Sequence, residues 1–562
     1  MAMTFDDAVQ QLTGPGGGFE LVEAEVAGRT QRVFANTPPS MRAFWDVLRL
    51  RPADDVVLVF EDERVTVGQL VARIDGLAAT LVGRYGVAHG DHVGIAMRNF
   101  PEWIVAYAAI TSVGAVAVCF NAWWTTEELA YGLEDSGTTV LVVDDQRLER
   151  VAPLLGSHAA RVLAVRTESV PDGVDRWDDV VPEVAAPPTA EIDPDDDCMI
   201  LYTSGTTGHP KGVVSTHRAV LTALMAYACR SISIAMSRSD EEAAAAAAGP
   251  GHPTCMILTV PLFHVTGLVP VMLGSMLGGY KLVMMYKWDP ERALELIERE
   301  RVTTFVGVPT MAHDLLESPA FDRHDTSSLT SVGGGGAPAP PELVRRIDRS
   351  FSSGRPSIGY GMTETNAYGP QNVGDDYVRK PNSSGRVVPV MEVAIFDPEG
   401  NRLGPDEQGE ICFRGANLFR GYWNKPEATA EVLTEDGWLH TGDLGRLDDE
   451  GFVYVEDRAK DIVIRAGENI GTAEVEGILY EHPAVYEVAV YGIPHERLGE
   501  ELVASVVVRS GHDVTVEDLQ AHVGQHLASF KVPSRIDLRH EQLPRGATGK
   551  ILKRELRDQA SA

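Results

Sequence analysis

Between two apolar stretches, Cys198-Met199-Ile200-Leu201 and Val213-Val214, the chain packs hydroxyls, glycines and one lysine into Thr203-Ser204-Gly205-Thr206-Thr207-Gly208-His209-Pro210-Lys211-Gly212. Together these residue types can hold phosphate. Glycines expose backbone N–H groups that form an anion nest, Thr and Ser hydroxyls add donors and an oxygen ligand for Mg²⁺, and Lys211 supplies a point charge. It is not a Walker A loop, which needs Gly before the lysine and Ser or Thr after it. Here Pro210 precedes Lys211, Gly212 follows, and the proline disfavours helix at His209. A plain turn also draws on Gly, Ser and Thr. The density of hydroxyls around a single lysine, with strand-like flanks on both sides, favours the phosphate loop.

Five further stretches carry chemistry-bearing residues. Gly333-Gly334-Gly335-Gly336-Ala337-Pro338 lets backbone approach something flat or bulky, with a tight turn as the alternative. Tyr360-Gly361-Met362-Thr363-Glu364 places an aromatic for stacking on a base, a hydroxyl for a phosphate and a carboxylate for Mg²⁺ on one turn. Trp438 to Asp443 and Asp457-Arg458-Ala459-Lys460-Asp461 offer a carboxylate and an arginine suited to ribose hydroxyls, a weak signal alone. Near the C-terminus, Gly549-Lys550 puts a cation on a glycine turn ahead of a helix, where it can reach a reacting phosphate and carboxylate.

In type and order, from about Met41 to Arg557, these stretches resemble the adenylate-forming superfamily of acyl-CoA synthetases, firefly luciferase and peptide-synthetase adenylation domains. The resemblance implies an enzyme, an AMP-forming carboxylic acid–CoA ligase using ATP, Mg²⁺ and CoA. It assigns nucleotide contacts to Thr203, Ser204, Gly205, Thr206, Thr207, Gly208, Lys211, Gly335, Gly336, Ala337, Pro338, Tyr360, Gly361, Met362 and Thr363. Asp443 and Arg458 take the ribose, Lys460 the hinge between two domains, and Gly467 the CoA-facing surface. Glu364 and Thr203, or Thr206, are implied at the metal; Lys550 is implied as the cation bridging substrate carboxylate and phosphate, and Lys211, Glu364 and Thr203 join it as catalytic residues. His264, Gly333 and Gly334 line the acid's side of the site. Amino-acid adenylation domains place an aspartate after the aromatic of Pro261-Leu262-Phe263-His264; His264 there favours an uncharged acyl chain, although a satisfied core histidine reads equally well. After Ile470 many relatives continue with an aromatic and proline where this chain has Gly471-Thr472, which weakens the reading of the CoA contacts. The rivals are an acyl-AMP ligase that loads a carrier protein and a catalytically silent adenylate-binding sensor.

These residues need a scaffold, and the chain is long enough to build one. Its 562 residues exceed what one core usually organises, and 44% hydrophobic with 23% charged residues describes a globular protein. Short strands such as His92–Ala96 and Val140–Val143 alternate with helical stretches, which argues layered α/β architecture with largely parallel sheets. The segment Gly385 to Tyr454 is strand- and turn-rich and reads as a barrel or β-meander. Residues after Arg458 read as a small α+β module. The expected division is a flexible lead-in over residues 1–40, a large ATP- and acyl-binding α/β domain with a β-barrel-like portion over 41–457, and a small mobile α+β lid over 458–562.

A net charge of −32 repels polyanions, so no nucleic-acid partner is expected, and local cations must overcome the global field to hold ATP and CoA. The five cysteines lack metal-ligand spacing and are expected buried and reduced. Met1 to Asp7 carries neither a basic nor an apolar run, so a cytoplasmic location is expected. Thr254 to Tyr280 lacks charged side chains, but Pro261, Gly267 and Pro270 interrupt it, which predicts strand, loop and helix rather than a membrane span. A homo-oligomer stays open.

Overall fold

The computed structural model describes residues 3–203, 209–238, 251–337, 339–458, 461–465 and 468–561, the Asn469 side chain aside. Two eight-stranded sheets form its body. In the first, Asp197–Thr203, Val116–Cys119, His92–Ala96, Val140–Asp144, Arg161–Val165 and Val174–Arg176 run parallel in that spatial order. Lys211–Thr216 then adds antiparallel to Asp197–Thr203, and Gly421–Tyr422 closes that edge. In the second, Arg355–Gly359, Ser331–Gly335, Thr304–Gly307, Cys255–Leu258, Lys281–Met284 and Val56–Phe60 are parallel, with Gln371–Val373 and Glu63–Thr66 antiparallel at the edges.

The sequence dictates this burial. Val56 to Phe60 is apolar at every position because a parallel strand is covered on both faces. Helix Pro101–Ser112 is buried nearly all round, and its Trp103 and Tyr107 rings stack at 5.7 Å in a core that both sheets share. Thr66 and Gln69 form a capping box that starts helix Val67–Gly83 where the hairpin before it ends. Among the described residues one helix, His217–Met236, is long and apolar enough to cross a membrane; here it is a core helix that buries Val220, Leu221 and Leu224. The apolar run after Thr254 is a strand, Cys255–Leu258, followed by a π-helical turn Gly267–Leu273 that accommodates Pro270. All five cysteines are buried and free.

One expectation is corrected. Residues 1–40 are not a loose lead-in: a Thr4–Asp7 capping box starts helix Phe5–Thr13, and Leu21–Val26 pairs with Arg29–Phe34 in a hairpin. The Phe5 ring lies under the guanidinium groups of Arg230 and Arg386, 5.1 and 4.8 Å from its centroid. The run Gly14 to Gly18 masked these local signals. Of the two readings of the strand-rich segment from Gly385 to Tyr454, barrel or β-meander, the structure has the meander: Met391–Phe396, Gly409–Gly415, Leu439–Leu447 and Val453–Arg458 pair antiparallel, and the outer strands each have one partner strand.

A last sheet holds the C-terminal part: Val463–Arg465, Glu468–Ile470, Val485–His495, Gly499–Val508 and Arg535–Arg539, covered by helices Thr472–Glu481 and Val516–His526. Arg458 still pairs with Asp443 in the meander, so the sheets place it on the large side of the expected 457/458 division. Gly385 ties the second sheet to the meander: it bridges to Val453 at φ +92°, and a Cβ there would overlap the Gln371 carbonyl. Gly385→Ala is therefore expected to cost roughly 3 kcal/mol or more through left-handed strain and overlap, read as a fall of several degrees in thermal unfolding.

Candidate active site

The phosphate stretch is a hairpin stem. Thr203 and Lys211 are paired residues at its mouth, and the Thr203 hydroxyl donates to the Lys211 carbonyl at 3.4 Å. Ser204, Gly205, Thr206, Thr207 and Gly208 lie outside the described residues. Both sides of the stem are tied to helix Thr126–Ser136. The Tyr202 hydroxyl and Lys425 ammonium donate to opposite oxygens of Asp135, at 2.7 and 2.9 Å, and the Tyr131 hydroxyl donates to the Pro210 carbonyl at 3.1 Å while its ring stacks on His209. Nothing local to Asp135 or Tyr131 marks them in the sequence, because these contacts exist only after the sheet has formed.

Antiparallel pairing of Val213 with Tyr422 brings in a residue that sequence reasoning missed. The Tyr422 ring lies 4.8 Å from the Lys211 ammonium, and its hydroxyl donates to Glu364 Oε1 at 2.8 Å. Glu364 sits in the short 3₁₀ turn Thr363–Thr365, which opens where the Met362 N–H donates to the Thr365 hydroxyl and follows Gly361 directly. It is 7% exposed, and burial raises its carboxyl pKa against the Tyr422 hydroxyl, its own backbone N–H and the charges of Lys211 and Arg458. A buried carboxylate whose charge is so poorly solvated suits a divalent cation, so the donor chemistry fits Mg²⁺.

Beside this cluster, Asp443 and Arg458 face each other across the meander, Arg458 Nε lying 3.0 Å from Asp443 Oδ1. The Tyr360 hydroxyl donates to Asp443 Oδ2 at 2.6 Å, and burial followed by this carboxylate keeps Tyr360 a phenol. The supporting residues were again invisible in sequence: Glu410 accepts the Gly442 N–H at 2.9 Å and pairs with His440 at 2.7 Å, and the Thr441 hydroxyl accepts the Asp443 N–H. Glu410 thereby fixes the loop that aims Asp443.

The four-glycine run begins as strand Ser331–Gly335. Gly333 faces Ser357 and Gly335 faces Gly359, whereas Gly334 lies against Gly307 and the start of helix Pro309–Glu317. Gly336 is exposed, Ala337 is half-buried, and Pro338 is outside the described residues. Lys550 caps a turn in which the Gly546 N–H donates to its carbonyl at 2.8 Å. Burial, and after it the Lys550 charge, push His264 down to about 4, so the imidazole is neutral at pH 7 and the lysine stands in its neighbourhood. Lys460 and Gly467 lie outside the described residues.

The AMP-binding enzyme profile matches residues 44–423, and the C-terminal domain profile of the same enzymes matches residues 474–550. The chain belongs to the AMP-binding, adenylate-forming enzyme family. This AMP-binding enzyme is 36% identical over 516 residues to a feruloyl-CoA synthase of Amycolatopsis sp, covering 91% of this chain and 98% of that one. It is 33% identical over 535 residues to a long-chain-fatty-acid–CoA ligase of Bacillus subtilis, covering 90% and 91%. The crystal structure of ATP-bound MatB from Rhodopseudomonas palustris superposes with a TM-score of 0.79 at 28% identity, covering 92% and 99%. Its relatives are acyl-CoA ligases, and the enzyme is of the AMP-forming acid–CoA ligase class.

Because the folded-state pKa of Glu364 is raised, its contribution to stability is full below its unfolded value and is lost as pH rises through the folded value. Once ionised, the side chain is a net cost to folding. Glu364→Gln keeps an oxygen for the Tyr422 hydroxyl and removes the buried charge. It is expected to leave the melting temperature of the ligand-free enzyme unchanged, or raise it by about 1–3 °C, while lowering MgATP use roughly tenfold or more. Calorimetry and ATP-dependent turnover on the same preparation check both halves.

Proposed function

We propose that this enzyme joins an apolar carboxylic acid to CoA in two steps on one site. The observation that supports the reading is the Lys211–Tyr422–Glu364 cluster, with the Arg458 that pairs with Asp443 close enough for its charge to act on Glu364, while the Lys550 charge acts on His264. In the first step a carboxylate oxygen of the acid attacks the α-phosphorus of ATP, the bond to the β-phosphate oxygen breaks, and pyrophosphate leaves acyl-AMP. Lys211 and the phosphate loop hold the phosphates, with Ser204 to Gly208 supplying backbone N–H groups; Asp443 and Arg458 hold the ribose; Lys550 faces the developing charge. Glu364, with Thr203 or Thr206, would hold Mg²⁺, which supplies charge neutralisation on the phosphates when bound. In the second step the CoA thiol, losing its proton, attacks the acyl carbon and AMP leaves.

An apolar acid is favoured because a neutral His264, not an aspartate, follows Phe263, and Phe263, Val265 and Leu268 around it are buried. The feruloyl-CoA synthase and the long-chain ligase, by name, take an aromatic and an aliphatic acid, so both classes belong in the test. AMP formation that needs CoA, measured over fatty, aromatic and sterol-type acids, selects the substrate. Turnover that ignores CoA would favour a carrier protein as acceptor.

The two half-reactions are expected to separate by mutation. Lys550→Ala should lower acid-dependent pyrophosphate release about 100-fold or more, yet leave thioester formation from preformed acyl-adenylate and CoA near wild type. Gly467→Leu should do the reverse by blocking the pantetheine arm where backbone must be approached closely. Equal loss of both half-reactions in both folded variants would refute a rotation of the small domain about the Lys460 hinge between the two steps, which exchanges the Lys550 face for the Gly467 face.

A further inference from the structure

The C-terminal module touches helix Pro309–Glu317 of the large domain, and these contacts are spread along the helix. In the first turn of helix Pro309–Glu317, the Thr310 hydroxyl donates to the carbonyl of Gly549, the residue before Lys550, at 3.5 Å. Gly549 has φ +82°, and a Cβ there would stand 3.2 Å from Val308 and 3.4 Å from Met311, so the turn lies flat on the helix start. Further along, the Tyr486 hydroxyl donates to Asp314 Oδ1 at 3.2 Å, the other oxygen taking the Trp288 indole N–H, and the Tyr486 ring meets His313 edge-on at 4.8 Å. At the last residue, Glu317 Oε1 pairs with Arg509 at 2.5 Å and with Arg346 at 2.8 Å.

On the module's side these contacts are joined to Lys550 through covalent neighbours and strong hydrogen bonds. Arg509 donates to the carbonyls of Pro483 and Val485, at 3.1 and 3.3 Å, which fixes it beside Tyr486. The next residue, Glu487, is 2% exposed; it accepts the Leu543 N–H at 2.9 Å and the Arg545 guanidinium at 2.6 Å. Arg545 in turn donates to the Gly549 carbonyl at 3.3 Å. An unbroken line of contacts therefore runs from Glu317 and Asp314, through Arg509, Tyr486, Glu487 and Arg545, to the turn that carries Lys550.

We propose that helix Pro309–Glu317 is the dock that holds Lys550 over the site, and that Tyr486 and Arg509 are positioning residues for the adenylate-forming step alone. This rests on the assignment of Lys550 to that step. Neither residue touches a substrate; each acts by registering the module on the helix. Once the adenylate exists, the dock has no further task, and the thiol step proceeds without it.

The experiment uses the full-length enzyme with Arg509→Ala and Tyr486→Phe, the second removing only a hydroxyl. Expected is a fall of about tenfold in acid-dependent pyrophosphate release, the size typical of contacts that act through others. Thioester formation from preformed acyl-adenylate and CoA should stay within about twofold of wild type. Glu317→Gln should lose little more when combined with Arg509→Ala, because both changes break one link. Amide exchange of the substrate-free enzyme gives a readout independent of activity: both variants should exchange faster over residues 309–317 and 543–551. Equal loss of the two half-reactions, or unchanged exchange in both variants, overturns the dock. If the wild-type enzyme releases no pyrophosphate with any acid, the proposed function fails instead, and the exchange result decides the dock alone.

Discussion

The pairing of Val213 and Val214 with Tyr422 and Gly421 is the constraint on which the rest of the site depends. A parallel sheet cannot fold a short loop back on itself, because parallel neighbours need a long crossover. Turning antiparallel at Lys211 permits a tight phosphate hairpin at the sheet edge and leaves that edge open to a further strand. Gly421–Tyr422 fills it, and the neighbouring hydrogen bonds from Phe419 to Glu364, from Arg420 to Val214 and from Trp423 to Gly212 tie the phosphate hairpin, the metal-type carboxylate and the meander together. Lys211, Glu364 and Tyr422 are distant in sequence, and this edge makes them neighbours.

The electrostatics follow from that geometry. In a chain of net charge −32, individual cations are set against buried titratable groups. The charges of Lys211 and Arg458 act on Glu364 and that of Lys550 acts on His264, in opposite senses. Lys211 and Arg458 favour an ionised Glu364 against burial, while Lys550 adds to burial in keeping His264 neutral.

Much of this was legible in the residues. The glycine and hydroxyl run between apolar flanks indicated a strand–loop–strand hairpin, the capping box at Thr66 marked its helix, and the prolines in Pro261 to Pro270 argued correctly against a single long helix. Reading a resemblance motif by motif singled out Glu364, Asp443, Arg458 and Lys550, and the fold pairs Arg458 with Asp443 and sets its charge near Glu364. What stayed hidden were residues whose meaning is purely tertiary. Tyr422 looks like any packing aromatic, Glu410 like any strand-end acid, and Asp135 like any helix-end acid, because a hydrogen bond between residues far apart in the chain leaves no local pattern. The N-terminal helix was missed for the opposite reason: a loud glycine run drowned a quiet Thr–Asp cap.

The helix Thr472–Glu481 begins at Gly471, which has no side chain to serve its first N–H groups, and the Thr472 N–H is instead taken by the Asp457 carboxylate on the far side of the connection. Asp457 is the last residue before Arg458 on the same strand. The helix start and the arginine that pairs with Asp443 are thus adjacent links of one chain segment, so any displacement of the helix would surrender that cap to water and pull on the Asp443–Arg458 pair. Cap and ion pair are in this way mechanically coupled: a change at one is felt at the other.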